Sequence, residues 1–209
     1  MRSWGDIPQW SFEAVQSLLQ SLKLVDPVTH AHCLRVGALS KQFAKDLGLN
    51  EYQQWVAYYS GVLHDIGKMG IDQAVLHKPG KLTPEEYGLV CEHSVLSEKI
   101  VQPLACNEFF KDTLPGVRNH HERIDGKGYP DRKIGDEIPL VARLILIVDT
   151  CDAMMEDRSY RKGLTADKVY AELVRCSDTQ FDAAMVRVFL QAHPLWQKIA
   201  NLPDLNRVA

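Results

Sequence analysis

Five of the eight histidines, His32, His64, His93, His120 and His121, stand in settings suited to metal ligation, and Asp65 and Asp149 accompany them. Any one of them alone reads as an ordinary buried or surface side chain; the set together does not. Imidazole nitrogens and carboxylate oxygens are the ligands that many divalent transition metals take. His64-Asp65 is followed by Gly67-Lys68. On a helix His64 and Lys68 would lie four apart on one face, with Asp65 about a quarter-turn away and able to bridge toward a second ion. A carboxylate between two cations lets them sit close together. Their joint charge lowers the pKa of a shared water, giving hydroxide at neutral pH, and stabilises charge on a phosphoryl oxygen. The chemistry indicated is hydrolysis of a phosphate ester.

The segments that carry these residues read as helices. Phe12, Val15, Leu18, Leu19 and Leu22 recur at three and four spacing, as do Val36, Leu39, Phe43 and Leu47, which predicts two amphipathic helices. The second closes at Gly48, a C-cap, and a third begins near Glu51 and carries Trp55, Val56, Tyr59 and Val62 toward His64. Turn chemistry from Lys78 leads to an N-cap at Thr83, with Pro84 at the first helical position and Glu86 three residues beyond the cap, and predicts a helix over 84–101. Residues 103–119 read as helical with an interruption at Pro115-Gly116. The glycines and proline between Asp125 and Asp136 predict a loop. Periodicity alone leaves Pro139 to Val148 as strand or helix; a helix that starts at Pro139 and continues through Asp152-Ala-Met-Met is the reading adopted. Two more helices fit 165–176 and 183–192. The expected fold class is all-α, one compact domain over 1–209 with seven to nine helices and the N-terminal 1–25 packed on it.

Composition narrows the function classes. At 209 residues, 45% hydrophobic and 24% charged, the chain can bury a full core, which excludes intrinsic disorder and fibre. A net charge of -3 argues against a binder of DNA or RNA polymers, which usually carries a basic excess. Cys33, Cys91, Cys106, Cys151 and Cys176 form no C-x-x-C pair and are odd in number, so no structural disulfide is expected and the compartment is a reducing one. No apolar leader opens the chain, and the run from Leu140 to Val148, interrupted by Arg143, is too short to span a bilayer. A cytoplasmic protein without a membrane partner is expected.

His64-Asp-Ile-Gly-Lys, His93, His120-His-Glu-Arg-Ile-Asp-Gly-Lys-Gly-Tyr-Pro, Val148-Asp-Thr-Cys-Asp-Ala and Asp157-Arg-Ser-Tyr-Arg follow one another in this order. From about Asp26 to Phe181 the chain thereby resembles the HD-GYP family of bacterial cyclic dinucleotide phosphodiesterases. The segment from Asp26 to Val36 is similar to the family's first block, which makes His32 rather than His30 the ligand. By the family pattern, His32, His64, Asp65 and Asp149 would hold one metal, and His93, His120 and His121, with Asp65 as bridge, the other. The resemblance points to iron or manganese; a nitrogen and oxygen set without thiolate also suits zinc, nickel or cobalt. Asp65 and Lys68 would be the catalytic pair, with Lys68 reaching the scissile phosphate or its leaving oxygen. Tyr129, in the loop Gly126-Lys-Gly-Tyr-Pro, would contact the nucleotide. Arg158 and Arg161, three apart, would clamp phosphates. Asp152, three residues after Asp149, shares its helix face and would orient a ligand as an acceptor. Cys151 is expected to pack inward.

Some members are similar in a further respect, a third metal held partly by a glutamate four residues before the first ligand histidine. Here that position is Val28, which cannot coordinate. Two metals are therefore expected, with cyclic di-GMP opened to linear pGpG and onward cleavage to GMP left open. A mixed 3',3'-cyclic GMP-AMP is the alternative substrate, and a cyclic dinucleotide receptor or protein-interaction module with little turnover is the alternative class. A deaminase or nucleoside triphosphate phosphohydrolase of the wider HD superfamily would leave His93, His120 and His121 unexplained. The 25 residues ahead of Asp26 are too few for the sensory domain that members often carry, so regulation would come from a protein partner or from metal and redox state. Trp4, Trp10 and Phe12 would cover the core or form a partner surface, core packing being the plainer reading.

Overall fold

Asp26 separates the first two helices and starts the second. Its carboxylate accepts the Val28 and Thr29 N–H groups at 3.1 and 2.9 Å, and Pro27 opens α2 (Pro27–Asp46) with a φ already suited to helix. Before it runs α1 (Gln9–Val25). A capping box of Asn50 and Gln53 opens α3 (Glu51–Leu63), and one of Thr83 and Glu86 opens α5 (Pro84–Cys91) after the single turn α4 (Gln73–Leu76). There follow α6 (His93–Val101), α7 (Glu108–Asn119), α8 (Leu140–Met155), α9 (Ala166–Arg175) and α10 (Ala183–Trp196). This computed structural model describes residues 7–157 and 162–196. Among them the protein is all-α, with nine helices longer than a single turn and two isolated β-bridges, Asp125 to Ile134 and Ser177 to Phe181. No helix among them is long and apolar enough to cross a membrane, and all five cysteines are free.

Two apolar clusters make the core. Phe43, Leu144, Ile145, Ile147, Val148 and Phe189 anchor one, and Leu19, Leu22, Val62, Leu63, Phe110 and Val117 the other. Full burial of each such side chain favours folding by about 1.5–3 kcal/mol, so both faces of the bundle are held firmly. Between them α2 and α3 approach closely at Gly37 and Gly61. A Cβ on Gly37 would stand 2.4 Å from Val62 Cγ2, and one on Gly61 would stand 3.0 Å from Gly37 Cα. Only glycine allows that contact, which brings the polar face of α2 up to the end of α3.

Three element boundaries differ from the sequence reading. The helix expected over 84–101 is two helices, broken at Glu92, and the break turns His93 toward the interior. Residues 102–106 form a 3₁₀ turn, and α7 starts anew behind an Asn107 cap whose side chain accepts the Phe109 N–H at 2.9 Å. Pro115 lies inside α7, which runs on without interruption: Gly116 packs against Ser60 of α3, and the Ser60 hydroxyl donates to the Thr113 carbonyl at 3.0 Å. Tertiary packing there outweighs the one helix bond that proline removes. Trp10 is 47% exposed rather than in the core, while Phe12 packs on Tyr59. Trp4 lies outside the described residues.

Candidate metal centre

The polar cluster forms where helices stop. His64 is the C-cap of α3, Asp65 the residue after it, His93 the first residue of α6, and His120 the C-cap of α7 with His121 next. His32 and Asp149 come from within α2 and α8. At three of these positions the ring turns back on its own chain: Nδ1–H donates to the carbonyl three residues earlier, His64 to Gly61 at 2.6 Å, His93 to Val90 at 2.6 Å and His120 to Val117 at 2.8 Å. A carbonyl only accepts, so Nδ1 carries a proton and Nε2 is the nitrogen turned inward, free to meet a cation once it is deprotonated. His32 is held the same way by a side chain, Nδ1 to Asp152 Oδ2 at 2.7 Å.

The structure brings together every ligand expected from sequence. One atom each of Asp65, His93, His120 and His121 lies within 4.8 Å of the others, as do those of His32, His64 and Asp149. Asp65 stands between the groups: its Oδ1 is 3.2 Å from His93 Nε2, and its Oδ2 is 3.3 Å from His64 Nε2 and 3.8 Å from His32 Nε2. Asp149 Oδ1 is 2.9 Å from His32 Nε2 and 3.8 Å from His64 Nε2.

These residues fit divalent cations. His64 Nε2 and Asp65 Oδ1 are buried with no hydrogen-bond partner among the described residues, a costly state for a ring nitrogen and a carboxylate oxygen unless a cation meets them. His93 Nε2 and His120 Nε2 face each other at 3.2 Å with both Nδ1 protons already placed elsewhere. Two lone pairs so close call for a positive charge between them.

Burial, then the neighbouring His121, His64 and His93, pushes the His120 imidazolium well below its ordinary range, and burial takes His121 down to about 3. Both rings are neutral at physiological pH, as ligands must be. For His32 burial works the other way from the outcome: hydrogen bonds to Asp149 and Asp152 raise it to about 9. Burial likewise pushes Asp65 up, but Lys68 and His64 overcome it and hold the carboxyl well below the usual carboxylate range.

Lys68 stands differently from the sequence reading. The chain leaves the α-helix at His64 and enters a 3₁₀ turn over Ile66–Gly70, so Lys68 does not stack above His64; its Nζ bonds Asp65 Oδ2 at 2.5 Å. Its side chain remains 25% exposed, the charged rim of a buried centre. Tyr129 stacks on His121 with ring centroids 4.7 Å apart. Cys151 packs inward, 1% exposed, and Val28 is 60% exposed on the first turn of α2. Arg158 and Arg161 lie outside the described residues.

Sequence reasoning gave no role to Glu122 or Arg35. Glu122 is 1% exposed and its two oxygens accept the Asp131 and Lys133 N–H groups at 2.6 and 3.0 Å, which folds the Tyr129 loop back over His121. Arg35 grips Asp152. The one signal for either is adjacency: Glu122 follows the paired histidines and Arg35 lies one turn past His32.

The sequence model of the HD domain family matches residues 15–185. The chain is 30% identical over 201 residues to the cyclic di-GMP phosphodiesterase response regulator RpfG of Xanthomonas campestris pv. campestris, covering 96% of this chain and 53% of that protein. It is 31% identical over 200 residues to 3'3'-cGAMP-specific phosphodiesterase 2 of Vibrio cholerae, covering 95% of this chain and 38% of that protein. The chain thus spans about half or less of the curated relatives it matches. A crystal structure of a cyclic GMP-AMP specific phosphodiesterase of V. cholerae superposes with a TM-score of 0.64 at 18% identity, covering 94% of this chain and 54% of that one, a likeness of fold.

Proposed function

Because the chain belongs to the HD-domain family, in the HD-GYP group that its motifs resemble, we propose that it is a cyclic dinucleotide phosphodiesterase that holds two divalent cations and opens cyclic di-GMP to linear pGpG. The observation that carries this reading is Asp65, one buried carboxylate with an oxygen toward each of two histidine groups. His32, His64 and Asp149 would hold one cation and His93, His120 and His121 the other, with Asp65 common to both. Iron or manganese suits the set. When bound, the pair would acidify a shared water and offset charge on the phosphoryl oxygens.

The chain's own groups supply the rest. The Nδ1 bonds to Gly61, Val90, Val117 and Asp152 hold four rings with Nε2 turned inward, the nitrogen that would meet a cation. Lys68 stands at the rim with its ammonium already beside Asp65, placed to meet a non-bridging phosphate oxygen or the leaving oxygen. Tyr129 is stacked on His121 and would steady that ring's plane and contact the nucleotide. Arg158 and Arg161, outside the described residues, are the proposed phosphate contacts.

Relatives named for cyclic di-GMP and for 3'3'-cGAMP both support the reaction class, and the choice between them is set by relative kcat/KM. With both dinucleotides at equal concentration and anaerobically purified protein, the predicted product is pGpG, formed faster than the linear mixed dinucleotide. Asp65→Asn should lower kcat by about 10²–10³-fold, the loss of a few kcal/mol of charge stabilisation. An Asp65→Asn protein as active as the parent overturns the mechanism, and tight binding without any product by metal-loaded parent favours a receptor.

A further inference from the structure

Four of the five candidate ligand histidines divide by what holds the outer ring nitrogen. His64, His93 and His120 use backbone carbonyls of their own chain segment, which are neutral and fixed by their helices. His32 uses a carboxylate from another helix, Asp152 of α8. A carboxylate can rotate, and it aims an imidazole only if something aims it. Arg35, three residues past His32 on α2, does so with two prongs: Nε donates to Asp152 Oδ1 at 2.9 Å and Nη2 to Oδ2 at 2.9 Å. Nη2 also donates to Glu156 Oε1 at 2.6 Å, at the end of α8. The Asp152 carboxylate is 9% exposed, so water does little of this work.

We propose that Arg35 is a positioning residue for His32, acting through Asp152, with Glu156 fixing Arg35 in turn. The cation held by His32, His64 and Asp149 then depends on this run of ion pairs, whereas the one held by His93, His120 and His121, whose rings are set by the Val90 and Val117 carbonyls and by the Tyr129 stack, is independent of it. The inference rests on the reading of the two groups as cation sites. Without the guanidinium, Asp152 loses its fixed direction and His32 Nε2 loses its aim. Lysine at position 35 keeps the charge and loses the two-pronged geometry.

The test is a Mn²⁺ titration of metal-stripped parent, Arg35→Gln, Arg35→Lys and Glu156→Gln, with circular dichroism to establish that each is folded. Arg175→Gln, which removes an exposed pair with Glu172, is the control for loss of a surface charge. The parent should take up two ions. Arg35→Gln should weaken one of them by about 10–100-fold and leave the other unchanged. Arg35→Lys and Glu156→Gln should weaken the same ion by less, and Arg175→Gln should match the parent. A residue with a merely structural role would lower Tm without separating the two affinities. Folded Arg35→Gln with both affinities at the parent values, or with both weakened alike, overturns the inference. If Arg35→Gln does not fold, Glu156→Gln decides on the same criteria. A folded parent that takes up fewer than two ions overturns the two-cation reading and this inference with it.

Discussion

An imidazole holds a cation only through a bare nitrogen, and the histidines of this centre differ in how readily they offer one. His120 and His121 are neutral already, their imidazolium forms disfavoured by burial. His32 is raised to about 9 in the metal-free chain because Asp149 and Asp152 flank it, and His64 is raised as well, against burial, chiefly by Asp65. A cation arriving at neutral pH must therefore displace protons. Titrating metal into stripped protein in weak buffer near pH 7.5 should release on the order of one to two protons per chain, read by an indicator dye; metal uptake with no proton release would contradict the assignment of His32 and His64 as ligands. The pH dependence takes opposite signs in the two forms. The folded value of His32 lies above its ordinary 6.5, so its contribution to metal-free stability is full below about 6.5 and is lost as pH rises toward 9. Metal affinity rises over the same window as that proton leaves.

At the scale of elements, the centre exists because three helix ends and two helix faces meet, and close backbone contact enforces the meeting. Gly67, in the turn after Asp65, is the clearest case: a Cβ there would stand 2.1 Å from the His93 carbonyl oxygen and 2.4 Å from the Ser97 N. Gly67→Ala should destabilise the protein by about 1–3 kcal/mol, measured by urea unfolding, by forcing the turn away from α6 and separating Asp65 from His93. A stability equal to the parent would show that the turn and α6 can part without cost. The cap at Thr83 and the apolar spacing of the first three helices were legible because they are local signals, as was the glycine after α2, although the C-cap is Leu47 and Gly48 is the left-handed residue that follows it. The break at Glu92 was not: no glycine or proline stands there, and what ends the helix is the packing of α6 against the Ile66–Gly70 turn. The same holds in reverse for Pro115, a strong local breaker overruled by the seat of Gly116 on Ser60. The ligands themselves were legible through their types and order. Arg35 and Glu122 were not, because a charged residue beside a motif reads as solvated until the fold shows what it touches.

Across the whole molecule, α2, α3, α6, α7 and α8 each contribute to one buried site, so cations there would cross-link segments from residue 32 to residue 149. Two apolar clusters hold the bundle without metal, which predicts a chain that stays folded when stripped. Binding at about 100 times Kd adds about 2.7 kcal/mol per site, so chelation should lower Tm by roughly 5–10 °C per cation lost, followed by scanning fluorimetry. An unchanged Tm would mean that no ion was bound to the native state. Asp65 is predicted to lie between two cations, and anomalous diffraction from crystals of the manganese-loaded protein would locate them. Two peaks are predicted, one against His32, His64 and Asp149 and one against His93, His120 and His121, with Asp65 reaching both. A single peak, or two with Asp65 bound to only one, would contradict it.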